Sequence, residues 1–156
     1  MSAAQSDKFV PLSGKFFVSP QIGLADVTLA AEEGFALIVN NRPDGEMPGQ
    51  PASADIAAAA SAAGLGYVHI PVDGRGISMS HISALKKALE ENGGKVLAFC
   101  RSGTRSAFLH AYLSASEGRA PEEIIAEAAA AGYDIRGHAQ TLAALRAAQI
   151  KEDDDE

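Results

Sequence analysis

The chain of 156 residues has one cysteine, no tryptophan and no run of basic residues. A single cysteine cannot form an internal disulfide, so an oxidised or sulfur-loaded Cys100 needs another molecule to restore it. The formal net charge of −7 argues against nucleic acid or an anionic membrane as the main partner. Any binding of anions must therefore be local.

Long apolar segments are also missing, since none approaches the roughly 18 residues of a membrane helix. The N-terminal sequence has no apolar stretch behind a basic start. We therefore expect a soluble, cytoplasmic protein. The four histidines show no metal-ligand spacing, and neither a metal nor another cofactor is expected. They are His69, His81, His110 and His138.

The length fits one domain, which we place at residues 1–150, followed by a solvated acidic tail at 151–156. Apolar segments predict buried parallel strands at 35–39, 67–72 and 95–100 and an edge strand at 15–19. Helices are expected at 53–63, with Ser53 as cap, and at 80–91, 105–114, 121–131 and 138–150. This alternation predicts an α/β fold in which helices flank a mostly parallel sheet of four or five strands.

The segment "CRSGTRS", residues 100–106, follows the last of these strands. A loop at the carboxyl end of a strand that leads into a helix directs backbone amides and the helix dipole at one point, which favours an oxyanion. Gly103 permits a positive φ or a close approach of the backbone. Arg101 and Arg105 add positive charge, so Cys100 is expected to be partly thiolate at neutral pH.

Alone, a cysteine that ends an apolar strand is more often a buried core residue. The glycine at the third following position and the Arg-Ser pair at the fifth and sixth favour a nucleophile instead. We therefore predict Cys100 and Arg105 as catalytic residues. The substrate-binding residues are predicted to be Arg101, Ser102, Gly103, Thr104 and Ser106.

The sequence resembles a known family in three segments, "NNRPDGE", "YVHIPVDG" and "AFCRSGTRS", within a similarity that spans roughly residues 10–148. The family is that of the phosphatase-like domain of beta-lactamase hydrolase-like proteins, which is also labelled a sulfur transferase family. The resemblance implies the fold of the cysteine-dependent, dual-specificity phosphatases. The segment "CRSGTRS" itself is similar to the active loop of rhodanese-type sulfurtransferases.

The length of this loop separates the two chemistries that the resemblance implies. Cysteine-dependent phosphatases have five residues between Cys and Arg, whereas four separate Cys100 from Arg105. The shorter ring matches the rhodanese-type pattern, in which the cysteine accepts one sulfur atom as a persulfide. A tighter loop also leaves less room for three phosphoryl oxygens.

Asp73, in "IPVDGRG", supports the other chemistry. Its position after a strand resembles that of the general acid that protonates the leaving group in dual-specificity phosphatases. An Asp-Gly pair is equally typical of a turn, and both interpretations stay open. Arg42 and Arg75 follow strands on the same rim of the sheet and are interpreted as solvated side chains.

The main hypothesis is a rhodanese-like sulfurtransferase that takes sulfur from a small anionic donor and passes it to an external thiol or cyanide. The alternatives are a phosphatase acting on a phosphoester through a cysteinyl-phosphate, and an anion-binding regulatory module without turnover. The resemblance further implies a setting in sulfide detoxification, with a persulfide-oxidising enzyme as a possible partner.

Overall fold

Five strands form one mixed sheet in the computed structural model, which describes residues 7–154. The strands are β1 (Val10–Ser13), β2 (Phe16–Ser19), β3 (Phe35–Asn40), β4 (Gly66–His69) and β5 (Lys95–Phe99). Their order is β1-β2-β5-β3-β4, and only the β1–β2 pair is antiparallel. The predicted mostly parallel sheet is therefore confirmed.

The position of β2 differs from the prediction. It lies between β1 and β5, so the interpretation of residues 15–19 as an edge strand is wrong. The short strand β1, with Pro11 at its second position, pairs along the outer side of β2. Proline has no N–H for a sheet ladder and is found in strands mainly at sheet edges, which fits the outer position of β1.

Six α-helices and one 3₁₀ turn surround the sheet in the described residues. They are α1 (Leu24–Glu32), α2 (Ser53–Ala62), α3 (Met79–Glu91), α4 (Thr104–Ser116), α5 (Pro121–Ala130), the 3₁₀ turn Arg136–His138 and α6 (Ala139–Asp154). Helix α1 was not predicted. Helix α6 extends four residues into the predicted acidic tail, and residues 155–156 lie outside the described part.

Ser53 does not cap α2, so that prediction is wrong. Ala52 occupies the N-cap position, and the Ser53 hydroxyl is 2.6 Å from the hydroxyl of Tyr67. The Ser53 amide instead donates to the Asp44 carboxylate at 2.8 Å. Asp44 thus satisfies a first-turn amide of α2 from the preceding loop.

Helices cover both faces of the sheet, as the continuously apolar strands predicted. Residues of α3 and α4 pack on one face and residues of α1 and α2 on the other. A third apolar cluster joins α4 to α5 and α6. Because helices cover both faces and β2 and β3 flank it, the central strand β5 is enclosed on all sides. It ends directly before Cys100.

No helix in the described part of the chain is both long and apolar enough to cross a membrane.

Leu97→Ala tests how far stability depends on this central strand. Leu97 is fully buried, so the truncation should leave a cavity and lower the free energy of unfolding by about 2–5 kcal/mol. Chemical denaturation monitored by circular dichroism measures the loss. Leu24→Ala, at a side chain that is 54% exposed, serves as the control and should change stability little. Equal losses of stability in the two variants would contradict the placement of Leu97 in the core.

Candidate active site

Cys100 follows the last residue of β5 and exposes no surface. Its sulfur accepts a hydrogen bond from the Gly103 amide at 3.1 Å. A core cysteine is expected to be buried. A backbone amide that donates to the sulfur is instead expected in a loop that surrounds a reactive cysteine. The structure therefore places the thiol at the base of the loop that the sequence singled out.

Gly103 turns the chain from the loop into α4. Its φ of 90° lies in the left-handed region that glycine adopts readily, and α4 begins at the next residue, Thr104. A Cβ at this position would overlap the hydroxyl of Tyr133. Both the backbone conformation and the space available therefore require glycine here.

Arg105 lies in the first turn of α4, with its guanidinium held by the neighbouring loops. It donates to both oxygens of the Glu46 carboxylate, at 2.7 and 3.0 Å, and to the Val72 carbonyl at 2.8 Å. The hydrogen bond to Glu46 raises the pKa of Arg105 above its ordinary value, and the charge of Cys100 contributes to the same shift. The structure thus places Arg105 in the first turn after the Cys100 loop, and its catalytic role stays a prediction.

Glu46 is the functional candidate that the sequence did not reveal. Its carboxylate accepts hydrogen bonds from Arg105 and, at 2.8 Å, from Arg42. The hydrogen bond from Arg105 lowers the pKa of Glu46 from 4.5 to about 2, and that from Arg42 acts in the same direction. An acidic residue in a Pro/Gly-rich loop resembles an ordinary solvated one, so only the folded structure identifies the pairing.

Arg42 is buried, so its interpretation as a solvated side chain is wrong. Only 4% of the residue is exposed, and its guanidinium also donates to the Gln21 side chain at 2.9 Å. Its backbone carbonyl is 2.8 Å from the Nε2 atom of His69. Two polar partners compensate the burial of this charge, which otherwise would be costly.

Ser106 ties α4 to the end of β3. Its buried hydroxyl donates to the Asn41 side-chain oxygen at 2.8 Å, and the Asn41 amide group donates to the Ile70 carbonyl at 2.9 Å. The hydroxyl hydrogen of Ser106 is therefore engaged within the protein. The predicted role of Ser106 in substrate binding stays a prediction.

The other loop residues lie toward solvent. Arg101 and Ser102 are exposed, and the Ser102 hydroxyl donates to that of Thr104 at 2.9 Å. Their predicted role in substrate binding requires a ligand that reaches the outer side of the loop. The structure thus separates an inner group, Cys100 and Arg105, from an outer group that includes Arg101.

Asp73 lies next to the site but pairs elsewhere. Arg75 donates to both of its carboxylate oxygens, with a closest distance of 2.8 Å, and this hydrogen bonding lowers the pKa of Asp73 to about 2. The preceding residue, Val72, contacts Arg105, whereas Asp73 lines a separate cavity of about 540 Å³ with Ser78 and His81. The hydrogen bonds from Arg75 favour the ionised form of the carboxylate, and the role of Asp73 as general acid stays a prediction.

The remaining titratable candidates do not assemble into a metal site. His110 is partly exposed and packs against the Phe16 ring, with ring centroids 4.4 Å apart, and desolvation lowers its pKa to about 4. Within the described part of the chain, no group of three or more His, Cys, Asp or Glu side chains is placed to hold a metal ion.

Comparison with known proteins gives the context of this geometry. Residues 8–118 match the family model described as the phosphatase-like domain of beta-lactamase hydrolase-like proteins. The chain belongs to this family. Curated members from Xylella fastidiosa and Agrobacterium fabrum are 36% and 38% identical over 143 and 112 residues, which are 91% and 72% of this chain. The matched regions are 33% and 26% of those proteins, so the chain spans about a third or less of their length.

Solved structures show that this phosphatase-like domain has the fold of cysteine-dependent phosphatases, as the resemblance implied. A candidate phosphatase from Neisseria meningitidis has 33% identity and a TM-score of 0.80, with 90% of this chain and 100% of that one covered. The phosphatase Tk-PTP in its active form, at 19% identity, has a TM-score of 0.72 with 91% and 97% covered. The phosphatase-like fold is therefore established.

Gly103→Ala tests the fit between the loop and Tyr133. We expect a positive φ in alanine and the overlap with the Tyr133 hydroxyl to lower the free energy of unfolding by roughly 1–3 kcal/mol or more. Gly118→Ala is the matched control, because Gly118 also has a positive φ but open space around a Cβ. Chemical denaturation should show a larger loss for Gly103→Ala; equal losses would mean that the Tyr133 contact imposes no constraint.

Glu46→Gln tests the clamp on Arg105. Because the pKa of Glu46 is lowered by folding, its stabilising effect is complete above its ordinary value of 4.5 and is lost as the pH falls toward 2. We expect Glu46→Gln to be less stable than wild type at neutral pH and the difference to disappear near pH 2. Denaturation across this pH range measures it, with Asp44→Asn from the same loop as the control. A stability difference that does not change with pH would contradict the ion pair between Glu46 and Arg105.

Proposed function

We propose that the chain is a cysteine-dependent phosphatase that hydrolyses phosphate monoesters through a cysteinyl-phosphate. One observation carries the proposal: the Gly103 amide donates to the Cys100 sulfur at 3.1 Å where the chain enters α4, and Arg105 lies in the first turn of that helix, whose amides lack partners within it. Membership of a phosphatase-like family and the similarity to the Neisseria candidate phosphatase support it. The main hypothesis from the sequence, sulfur transfer, receives no support from these relatives.

The reaction follows from the positions of these groups. The Cys100 thiolate attacks phosphorus, an S–P bond forms, and the bond from phosphorus to the leaving oxygen breaks. Loop amides and Arg105 stabilise the charge that develops on the phosphoryl oxygens. Water then attacks the cysteinyl-phosphate, releases inorganic phosphate and regenerates the thiolate.

Access to the sulfur requires movement. Cys100 exposes no surface, and the Arg105 guanidinium that interacts with it is paired with Glu46. A substrate oxyanion therefore has to reach Arg105 in competition with the Glu46 carboxylate. When Arg105 turns to the substrate, the buried guanidinium of Arg42 still pairs with the Glu46 carboxylate.

The state of Asp73 limits the leaving group. While its carboxylate is paired with Arg75, Asp73 is poorly placed to protonate the leaving oxygen, so we propose that the leaving group departs largely as an anion. Aryl phosphates, whose phenolates are stable anions, meet this requirement. We therefore expect aryl phosphates to be much better substrates than alkyl phosphates.

A leaving-group series tests both the reaction and the role of Asp73. With substituted aryl phosphates, wild type should release phosphate with a rate that falls steeply as the pKa of the leaving phenol rises. Asp73→Asn should show the same slope, and Cys100→Ser should lose essentially all activity. Activity that survives Cys100→Ser would overturn the phosphatase proposal. A shallow slope that becomes steep in Asp73→Asn would instead make Asp73 the general acid.

Sulfur transfer is the second candidate, favoured by the four residues between Cys100 and Arg105 and by the complete burial of the thiol. In this reaction the thiolate attacks the outer sulfur of thiosulfate, sulfite leaves, and an external thiol or cyanide removes the bound sulfur. A persulfide adds one atom to the site, whereas a phosphoryl group adds three oxygens around phosphorus. The partner enzyme that would oxidise the product persulfide is part of this second candidate.

Mass spectrometry separates the two candidates directly. After treatment with thiosulfate, a sulfurtransferase gains the mass of one sulfur atom on wild type and none on Cys100→Ser. A phosphatase is unchanged by thiosulfate and releases phosphate from the aryl ester. Binding of either anion without turnover would support the regulatory module that the sequence left open.

A further inference from the structure

Tyr133 reaches the Cys100 loop from the chain segment after α5, outside the residues that match the family model. Its hydroxyl donates to the Ser102 carbonyl at 3.2 Å. The same hydroxyl occupies the space that a Cβ at Gly103 would need. The side chain is partly buried and packs against two of the apolar clusters of the fold.

The carbonyl that Tyr133 contacts belongs to the same peptide unit as the amide that contacts the sulfur. The Ser102 carbonyl and the Gly103 N–H are the two ends of one planar group. One end accepts from Tyr133, and the other donates to Cys100 at 3.1 Å. A relay of two hydrogen bonds therefore runs from the tyrosine hydroxyl to the reacting sulfur.

Such a relay acts on the sulfur in two ways. A hydrogen bond at the oxygen of a planar peptide opposes rotation of its N–H away from the thiolate. Hydrogen bonds in series also polarise one another, so donation to the carbonyl strengthens donation by the amide. Both effects favour the thiolate over the thiol, because the amide hydrogen bond is stronger to a charged acceptor.

We propose that Tyr133 is a positioning residue that fixes the Ser102–Gly103 peptide and thereby stabilises the Cys100 thiolate. The inference rests on the proposed role of Cys100 as nucleophile and applies to phosphoryl and sulfur transfer alike. Burial first, and then the charge of Cys100, raises the pKa of Tyr133, so its hydroxyl keeps the proton that it donates. The charge of Arg105 also interacts with that of Cys100, and Glu46 faces Arg105 from the loop after β3.

Tyr133→Phe tests the inference, because it removes the hydroxyl and keeps the packed ring. Cys100 is the only cysteine, so the ultraviolet absorbance of its thiolate can be titrated with pH against a matched Cys100→Ser blank for each variant. We expect the midpoint of the titration to rise by roughly half to one pH unit, the size of one net hydrogen bond. The kcat/KM for an aryl phosphate below the wild-type midpoint should fall about threefold to tenfold, because kcat/KM follows the ionisation of the free enzyme.

Tyr112→Phe is the matched control. The Tyr112 hydroxyl is 2.7 Å from the His138 Nδ1 atom and, within the described residues, makes no hydrogen bond to the Cys100 loop. The substitution should leave the titration midpoint and kcat/KM unchanged. An unchanged midpoint in Tyr133→Phe would overturn the inference, and so would equal shifts in both variants, which would indicate general loosening of the C-terminal helices. If wild type hydrolyses no phosphate ester, the proposed function fails, and the thiolate titration still decides the role of Tyr133.

Discussion

The hydrogen bond from the Gly103 amide to the Cys100 sulfur spans the point where the central strand stops and the central helix starts. Between Phe99 and Thr104 the chain leaves a strand that is enclosed on all sides and enters a helix that packs on the sheet and on α3, α5 and α6. Four residues suffice for this turn because Gly103 adopts a positive φ. The position of α4, and with it the packing of the C-terminal helices, depends on this turn.

Charge within the site is balanced by an arrangement of two cations around one carboxylate. Glu46 accepts from Arg42, which is buried, and from Arg105, which is partly exposed. The buried partner holds Glu46 in place, so the exposed partner can exchange the carboxylate for a substrate oxyanion without leaving a buried charge unpaired. In a chain with a net charge of −7, this local excess of positive charge is what makes an anion site physically reasonable.

The structural features that the sequence predicted correctly are those encoded by local sequence patterns. Continuous apolar segments revealed β3 and β5, and the glycine and arginines after Cys100 revealed the loop. Strand β1 has four residues and a proline, too little for a pattern, and its omission is why β2 was misplaced at the edge. The burial of Arg42, the clamp by Glu46 and the contact of Tyr133 depend on residues 21 to 59 positions apart in the chain or on loop conformation, which no local spacing encodes.

The site constrains both the leaving group and the group that is transferred. A family of phosphatase-like domains fixes the fold, and a fold can host different reactions at the same loop. With Asp73 paired to Arg75, the described part of the site offers a candidate nucleophile and an anion cradle, and the pairing favours the ionised form of the nearby carboxylate. Thiosulfate, which releases sulfite, and aryl phosphates, which release phenolates, share the same feature of a stable departing anion. The two candidate reactions thus differ in what the cradle must enclose, and the short loop around a fully buried thiol makes the size of that group the decisive physical variable.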